Sequence, residues 1–326
     1  MRAVVVTQPG GPEVLKLTEM DDPQPGPGEV VVDVKAAGVN RADAVQRRGN
    51  YPLPPGIRAD ILGLEAAGVV SACGEGVQDW APGDRVFALL SGEGYAEKVC
   101  VPAGMLLPIP TNLDFVEAAG IAEVYYTAFD ALFNQAALQP GESVLVHAVG
   151  SGVGTAAVQL AHNIGARTFG TAGSAEKLEK ARSLGLDVGV YYREVDFLEV
   201  VMAETKSKGV DVILDLVGAS YWERNLKALA MLGRMVLIGT VGGTEVTTRT
   251  SDIMRKRLRI FGTLLRGRPL EEKLTLTRQF REQVLPLLAS GDLRAVIDRS
   301  FPLEQAAEAH RYLEENRNFG KIVLTV

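Results

Sequence analysis

The stretch Ser143-Val144-Leu145-Val146-His147-Ala148-Val149-Gly150-Ser151-Gly152-Val153-Gly154 decides the fold of this 326-residue chain. A short apolar run enters a glycine-rich turn, and beyond it Val153, Ala157, Leu160 and Ile164 recur at helical spacing. Strand, glycine-rich turn and amphipathic helix, in that order, open a dinucleotide-binding βαβ unit. The physical reason is proximity. Residues without a side chain let backbone N–H groups approach a pyrophosphate, and the helix N-terminus adds positive dipole charge. The spacing departs from strict G-x-G-x-x-G. Counting back from Gly154 puts Ser151 and Ala148 at the earlier small-residue positions. Ser151, Gly152, Val153 and Gly154 are the expected contacts, and Gly154 also lets the helix pack close on the strand. The alternative is a plain strand–helix turn.

Downstream the alternation repeats. Arg167–Thr171 reads as strand, Ala175–Leu184 as helix, Val188–Tyr192 as strand and Val195–Thr205 as helix. Val210–Val217 is a near-continuous apolar run, Tyr221–Leu232 reads as helix, and Gly233–Gly239 holds another strand. Such alternation means a doubly wound parallel sheet with helices on both faces, and strands apolar on both sides fit that burial. About 20 residues past the turn, the second strand should present the residue that reads the adenosine ribose. No Asp or Glu stands there; Gly173-Ser174 does, with Lys177 one helical turn on. An acid would repel a 2′-phosphate, whereas a hydroxyl and an ammonium accept it. NADPH is therefore expected over NADH, with Gly173, Ser174 and Lys177 as contacts. Alternatively Ser174 is only a helix cap and Lys177 a solvated charge. Val217, Gly239, Leu264 and Arg266 end later strands, where a cofactor lies in such sheets. Arg266 could instead be an exposed charge.

Working outward, residues 1–118 carry short β-branched runs: Ala3–Thr7, Glu29–Lys35, Ala67–Ser71, Arg85–Leu90 and Tyr95–Val101. Gly/Pro turns such as Pro9-Gly10-Gly11-Pro12 and Ala81-Pro82-Gly83-Asp84 separate them, which reads as an all-β unit. The tail beyond 263 has helical stretches near Leu270–Ala289 and Leu303–Glu314 and ends in a strand from Lys321. It is expected to complete the first domain. The expected division is 1–118 with 264–326, and 119–263.

Composition narrows the function. With 34 basic and 40 acidic residues the net charge is −6, which argues against nucleic-acid or anionic-membrane binding. Apolar residues make up 47% and charged residues 23%, an ordinary globular balance. No run approaches the roughly 18 apolar residues of a membrane span, and the N-terminal apolar stretch is too short for a signal peptide. A cytoplasmic location is expected. Two cysteines and three histidines exclude a secreted disulfide scaffold and strain any zinc site, because a catalytic zinc takes three protein ligands, mostly His, Cys and carboxylates. His147 reads as a satisfied strand-end residue. His162 falls on a polar helix face with Thr155 and Gln159, and His310 has no visible partner. Arg255-Lys256-Arg257 with Arg259 reads as a solvated basic edge, RNA binding being the alternative.

Several segments together carry a resemblance along essentially the whole chain. They are Ala36-Ala37-Gly38-Val39-Asn40-Arg41-Ala42-Asp43, Gly63-Leu64-Glu65-Ala66-Ala67-Gly68-Val69-Val70, Trp80-Ala81-Pro82-Gly83-Asp84-Arg85-Val86, the turn through Gly154-Thr155-Ala156, Leu214-Asp215-Leu216-Val217-Gly218, and Asn318-Phe319-Gly320-Lys321-Ile322-Val323. The chain resembles the medium-chain dehydrogenase/reductase superfamily, and within it the zeta-crystallin-like and stress-induced quinone oxidoreductases. The resemblance implies a GroES-like β-barrel catalytic domain beside the Rossmann domain. Zinc alcohol dehydrogenases of the superfamily carry a ligand Cys where this chain has Asn40 and a ligand His where it has Leu64. Leucine cannot bind zinc and Asn is a poor ligand, so no metal is expected.

The resemblance also implies that Asn40 and Tyr51 line the acceptor pocket beside the nicotinamide. Asn40 would orient the carboxamide or the substrate oxygen. It places Thr127, Tyr192 and Asn318 near the cofactor. It further implies a homodimer formed edge to edge through strands holding Gly242-Gly243 and Val246–Thr250. The reading is an NADPH-dependent quinone oxidoreductase acting by zinc-independent hydride or single-electron transfer on quinones or conjugated carbonyls. The alternatives are an enoyl or alkenal double-bond reductase, and a non-catalytic NADPH-binding or RNA-binding protein.

Overall fold

The computed structural model describes all residues, Met1–Val326. They form two compact units, Met1–Tyr126 with Leu265–Val326, and Thr127–Leu264. The first unit begins with strands β1 (Arg2–Val6), β2 (Leu15–Glu19) and β3 (Glu29–Val39), and helix α1 (Arg41–Arg47) follows β3 directly. Strands β4 (Glu65–Cys73), β5 (Arg85–Leu89), β6 (Lys98–Pro102) and β7 (Leu106–Pro108) come next, then helix α2 (Phe115–Ala119). Helix α3 (Ala122–Phe129) carries the chain across the division between the units and runs into a π-helical turn, Asp130–Gln135.

The second unit alternates strand and helix, as its apolar runs require. Its elements are β8 (Ser143–Val146), α4 (Gly152–Asn163), β9 (Arg167–Ala172), α5 (Ala175–Arg182), β10 (Val188–Tyr191), α6 (Phe197–Glu204), β11 (Val210–Asp215), α7 (Trp222–Ala228), β12 (Leu229–Leu237), α8 (Thr250–Lys256) and β13 (Arg259–Gly262). The sheet order is β10-β9-β8-β11-β12-β13, and every pairing is parallel. The order reverses direction between β8 and β11, which marks the crevice where such sheets bind ligands. Leu145, Phe169, Phe197, Val201, Ile213 and Met235 are fully buried at its centre.

The chain then returns to the first unit through α9 (Leu270–Gln283), α10 (Leu285–Ser290), β14 (Ile297–Pro302), α11 (Ala306–Glu314) and β15 (Lys321–Thr325). The large sheet there runs β14-β15-β3-β4-β5-β7. The long strand β3 is its spine. One edge pairs with β4, while the other is shared, Glu29–Asp33 pairing with β6 and Ala36–Val39 with β15. The architecture is an α/β fold with a GroES-like N-terminal domain and a parallel sheet. No helix is long and apolar enough to cross a membrane.

Four details differ from the sequence reading. The first boundary lies at Tyr126/Thr127 rather than 118/119. Tyr125 Oη donates to Arg294 O at 2.9 Å and Tyr126 stacks on Phe280 at 4.3 Å, so tail residues hold the start of α3 in the first unit. The helix expected over Tyr221–Leu232 stops at Ala228, and Leu229–Leu232 belong to β12. The Lys256 ammonium ends it by donating to the carbonyls of Leu226, Lys227 and Leu229, the groups a helix C-terminus leaves unpaired. The expected solvated basic cluster thereby loses one member, and a second, Arg255, pairs with Asp252. Val246–Thr250 is irregular until α8 begins at Thr250.

His147, at the end of β8, is fully buried. Its Nδ1 lies 3.1 Å from Thr171 Oγ1 and its Nε2 2.7 Å from Asn225 Oδ1. Burial pushes its pKa down to about 4 from an ordinary 6.5. The ring is neutral in the folded chain, and the unfolded chain binds its proton more readily. Its contribution to stability is therefore complete above pH 6.5 and is lost as pH falls toward 4. Between pH 6.5 and 5.5, where the unfolded chain goes from about half to about nine-tenths protonated, the loss is about 1 kcal/mol. Urea unfolding of wild type and His147→Gln at pH 6.5 and 5.5 checks this: the variant should lose less stability across the interval, by about that amount.

Candidate functional site

Asn40 occupies the single position between β3 and α1, with extended backbone angles. Its N–H donates to Asp43 Oδ2 at 2.8 Å, which satisfies one of the open donors at the helix start. The Asn40 carboxamide is buried and held at both ends. Oδ1 accepts from Lys321 Nζ at 2.6 Å, and Nδ2 donates to Glu65 Oε1 at 2.9 Å. Lys321 and Glu65 pair directly at 2.6 Å, with side chains 3% and 0% exposed. The third Lys321 donor reaches Val39 O at 2.9 Å, so its ammonium is fully used. The other Glu65 oxygen, Oε2, accepts from Glu123 N at 2.7 Å, at the start of α3. Gly38 makes room for this. A Cβ there would lie 2.1 Å from Glu65 Oε1 and 2.6 Å from Ala119 O.

Behind Asn40 lies a second chain of buried polar groups. Asp43 accepts from Asn40 N, from Gly63 N at 3.2 Å and from Tyr95 Oη at 3.0 Å. Burial outweighs these bonds and raises its pKa to about 6. Tyr95 Oη lies 3.1 Å from His310 Nε2, and His310 Nδ1 lies 2.7 Å from Arg47 Nη1. Arginine only donates, so Nδ1 is the acceptor; the proton is assigned to Nε2, which donates to Tyr95. Burial, then Arg47, hold His310 down at about 3. Arg47 finishes the chain on Glu314 at 2.6 Å. His310, without a visible partner in the sequence, thus has two.

Tyr51 and Arg266 form a third group. The Arg266 guanidinium lies over the Tyr51 ring, 5.2 Å from its centroid. Arg266 is 4% exposed, so the exposed-charge reading is wrong. Its Nε donates to Ser91 O at 2.7 Å, while Nη1 and Nη2 have no partner. Lys273, also buried, donates from Nζ to Ser91 Oγ at 2.8 Å. Burial lowers the pKa of both cations, and for Lys273 the Arg266 charge adds to it. Tyr51 is pushed up to about 12, by burial first and the Glu123 charge second. Asn318 is buried, with Nδ2 donating to Gly320 O at 2.7 Å, and Thr127 is buried while Leu264 is half exposed.

In the second unit, Ser151 caps α4, its Oγ accepting from Gly154 N at 3.0 Å. A Cβ on Gly154 would lie 2.5 Å from Ala148 O, so the close approach of helix to strand requires glycine. The Gly152 and Val153 amides find no acceptor within the chain. Ser174 caps α5 and accepts from Lys177 N at 3.3 Å. Gly173 stands against Tyr192, whose hydroxyl would be 2.7 Å from a Cβ at that position. Asp215 Oδ1 accepts from the N–H groups of Val217 and Gly218 at 2.8 and 2.9 Å, and its backbone oxygen accepts from Gly239 N at 3.3 Å. His162 is exposed, but Thr155 and Gln159 on its helix are buried, so that face is not a polar one.

The sequence reading gave no role to Asp43, Glu65, Ser91, Tyr95, Lys273, Lys321 or Asp215. One signal was present: Glu65 and Lys321 are charges at the margins of strands that are otherwise uncharged. Lys321→Met strands the Glu65 carboxylate in the interior and is expected to cost about 3–5 kcal/mol. Adding Glu65→Gln should return part of that loss, as read by chemical denaturation of the single and double variants.

Two family patterns cover most of the chain. The alcohol dehydrogenase GroES-like domain matches residues 26–111 and the zinc-binding dehydrogenase pattern matches 152–290. The chain is 35% identical to quinone oxidoreductase of Rattus norvegicus over 328 aligned residues, covering 99% of this chain and 97% of the relative. Among solved structures, the quinone oxidoreductase of Escherichia coli complexed with NADPH superposes with a TM-score of 0.90 at 32% identity, covering all of both chains. A structure described as an NAD-dependent alcohol dehydrogenase gives 0.89 at 38%, again over all of both chains. The chain is an oxidoreductase that belongs to the medium-chain dehydrogenase/reductase superfamily, in its quinone oxidoreductase branch.

Proposed function

We propose that this chain is an NADPH-dependent quinone oxidoreductase that works without a metal ion. The observation that carries the cofactor half of the reading is the α4 turn. It offers two amides with no acceptor in the chain, at the positive end of a twelve-residue helix. Ser151, Gly152, Val153 and Gly154 would hold the pyrophosphate. Gly173, Ser174, Lys177 and Tyr192 would hold the 2′-phosphate, the Ser174 hydroxyl and the Lys177 ammonium supplying polar contact and positive charge. Thr127, Val217, Gly239 and Leu264 would line the remainder. When bound, NADPH supplies the hydride.

The residues present fit acceptors that are already electrophilic. Leu64 cannot ligate a metal, and both ends of the Asn40 carboxamide are bound to Glu65 and Lys321. The fixed carboxamide serves as a rigid wall of the acceptor pocket, and Tyr51 supplies an aromatic face against which a quinone ring can stack. The family's quinone oxidoreductases support the acceptor class, and conjugation supplies the polarisation a metal would otherwise give. Exposed Met231, Leu232, Val241, Val246 and Met254 in the second unit support self-association as a homodimer. The setting we infer is the cytoplasm.

The test follows oxidation of NADPH and NADH against a panel of quinones and enones, with and without a chelator. NADPH with quinones should turn over fastest, and chelator should leave the rate unchanged. Faster turnover of enones would make the chain a double-bond reductase instead, and NADPH binding without turnover of any acceptor would make it a binding protein. Lys177→Ala should weaken NADPH binding about tenfold relative to NADH, since a charge-assisted contact is worth roughly 1.5–3 kcal/mol. An unchanged ratio in equilibrium titration would remove Lys177 from the 2′-phosphate site.

A further inference from the structure

The buried cations of the first unit fall into two kinds. Arg47 and Lys321 each pair with a carboxylate, Glu314 and Glu65. Arg266 and Lys273 do not. Both are more than nine-tenths buried, both converge on Ser91, and their only hydrogen bonds there are to its carbonyl and hydroxyl. Two terminal guanidinium nitrogens are left without any partner. Desolvating two like charges side by side is costly, and burying N–H donors unused costs more. A protein keeps such an arrangement where an anion completes it. Its surroundings fit an aromatic anion. The Tyr51 ring covers the guanidinium face, and Gly92 offers no side chain beside Nη2, where a Cβ would approach to 3.3 Å.

We propose that Arg266, supported by Lys273, is an oxyanion site that receives the oxygen of the acceptor as that oxygen becomes negative. The assignment rests on the quinone-reductase reading for its chemistry. Adding one hydride to a quinone forms one bond to hydrogen and breaks the quinoid π system, and the electron pair ends on oxygen as a phenolate. One proton from water then gives the hydroquinone. The guanidinium donates from Nη1 and Nη2 to that phenolate and keeps its own protons. Preorganised donors aimed at developing charge accelerate such steps because they need no reorganisation at the moment of reaction. The Tyr51 ring, which now covers these donors, would share or yield their face to the bound aromatic ring. It stands on the segment between Gly49 and Gly56.

The test uses 4-nitrophenol with the intact protein and no NADPH. Its visible absorbance reports ionisation directly, and no turnover is involved. At a pH where the free phenol is mostly protonated, wild type should raise the phenolate fraction severalfold at saturation. Arg266→Gln should abolish that gain, and Arg266→Lys should keep part of it. In a separate assay Arg266→Gln should lower kcat for quinones by about a hundredfold, the cost of losing an oxyanion donor. The proposal is overturned by binding with no gain in phenolate, or by an equal gain in wild type and Arg266→Gln. Should Arg266→Gln fail to fold, Arg266→Lys and Lys273→Met carry the test: an undiminished gain in both overturns the site. An Arg266-dependent gain in a protein that reduces no quinone would sustain the site and sink the quinone reading. Quinone reduction at wild-type kcat in Arg266→Gln would do the reverse.

Discussion

A buried ion pair fixes the corner on which the candidate site is built. Lys321 and Glu65 face each other with almost no exposure, one on the last strand and the other at the start of β4. Two charges out of water are tolerable only if every remaining donor and acceptor is matched. Here the Lys321 ammonium meets three oxygens, and Glu65 takes the Asn40 amide and the first turn of α3. The corner between β3 and α1 is thereby tied to two other strands and a helix. The absence of a Cβ at Gly38 follows from the same constraint, since the Glu65 carboxylate fills that space.

This view separates binding from scaffolding among the polar residues of the first unit. Asp43 and Arg47 are buried and bonded by the chain itself on several sides, which leaves them little to offer a ligand. They hold shape. Arg266 differs in kind because its unused donors represent binding capacity already desolvated. The neutral His310 between Arg47 and Tyr95 belongs with the scaffold: a proton there would place a second positive charge beside the guanidinium, and burial has pushed its pKa down to about 3.

What the sequence made legible was local. The turn at 143–154 could be read because strand, glycines and helix are contiguous, and the parallel sheet because its strands are short apolar runs between helical patterns. Ser151 reads as a turn residue and Ser174 as a 2′-phosphate contact or a helix cap, and each caps a helix. What escaped was non-local. Nothing near His310 names Arg47 or Tyr95, which lie 263 and 215 residues away. The end of α7 is set by a lysine on α8 rather than by a breaker of its own, so helical periodicity ran past it. The boundary after α2 was misplaced for a like reason, because Tyr125 and Tyr126 are held by residues of the tail. Family resemblance pointed to Asn40 and Tyr51 but carried no information on the Glu65 and Lys321 partners of the one or the guanidinium over the ring of the other.

The split of the first unit has a consequence for the order of events during synthesis. Asn40 and Lys321 are 281 residues apart. At roughly 5–20 residues per second, a ribosome makes Lys321 between about a quarter of a minute and a minute after Asn40. For that interval the Glu65 carboxylate has no counter-ion, and the edge of β3 at Ala36–Val39 has no β15 to pair with. The continuous unit Thr127–Leu264 emerges meanwhile with all of its own strands. The nascent chain can therefore complete its parallel sheet while the flanking unit still waits for its final strand, and until then that unit carries an unpaired strand edge of the kind that invites wrong pairing.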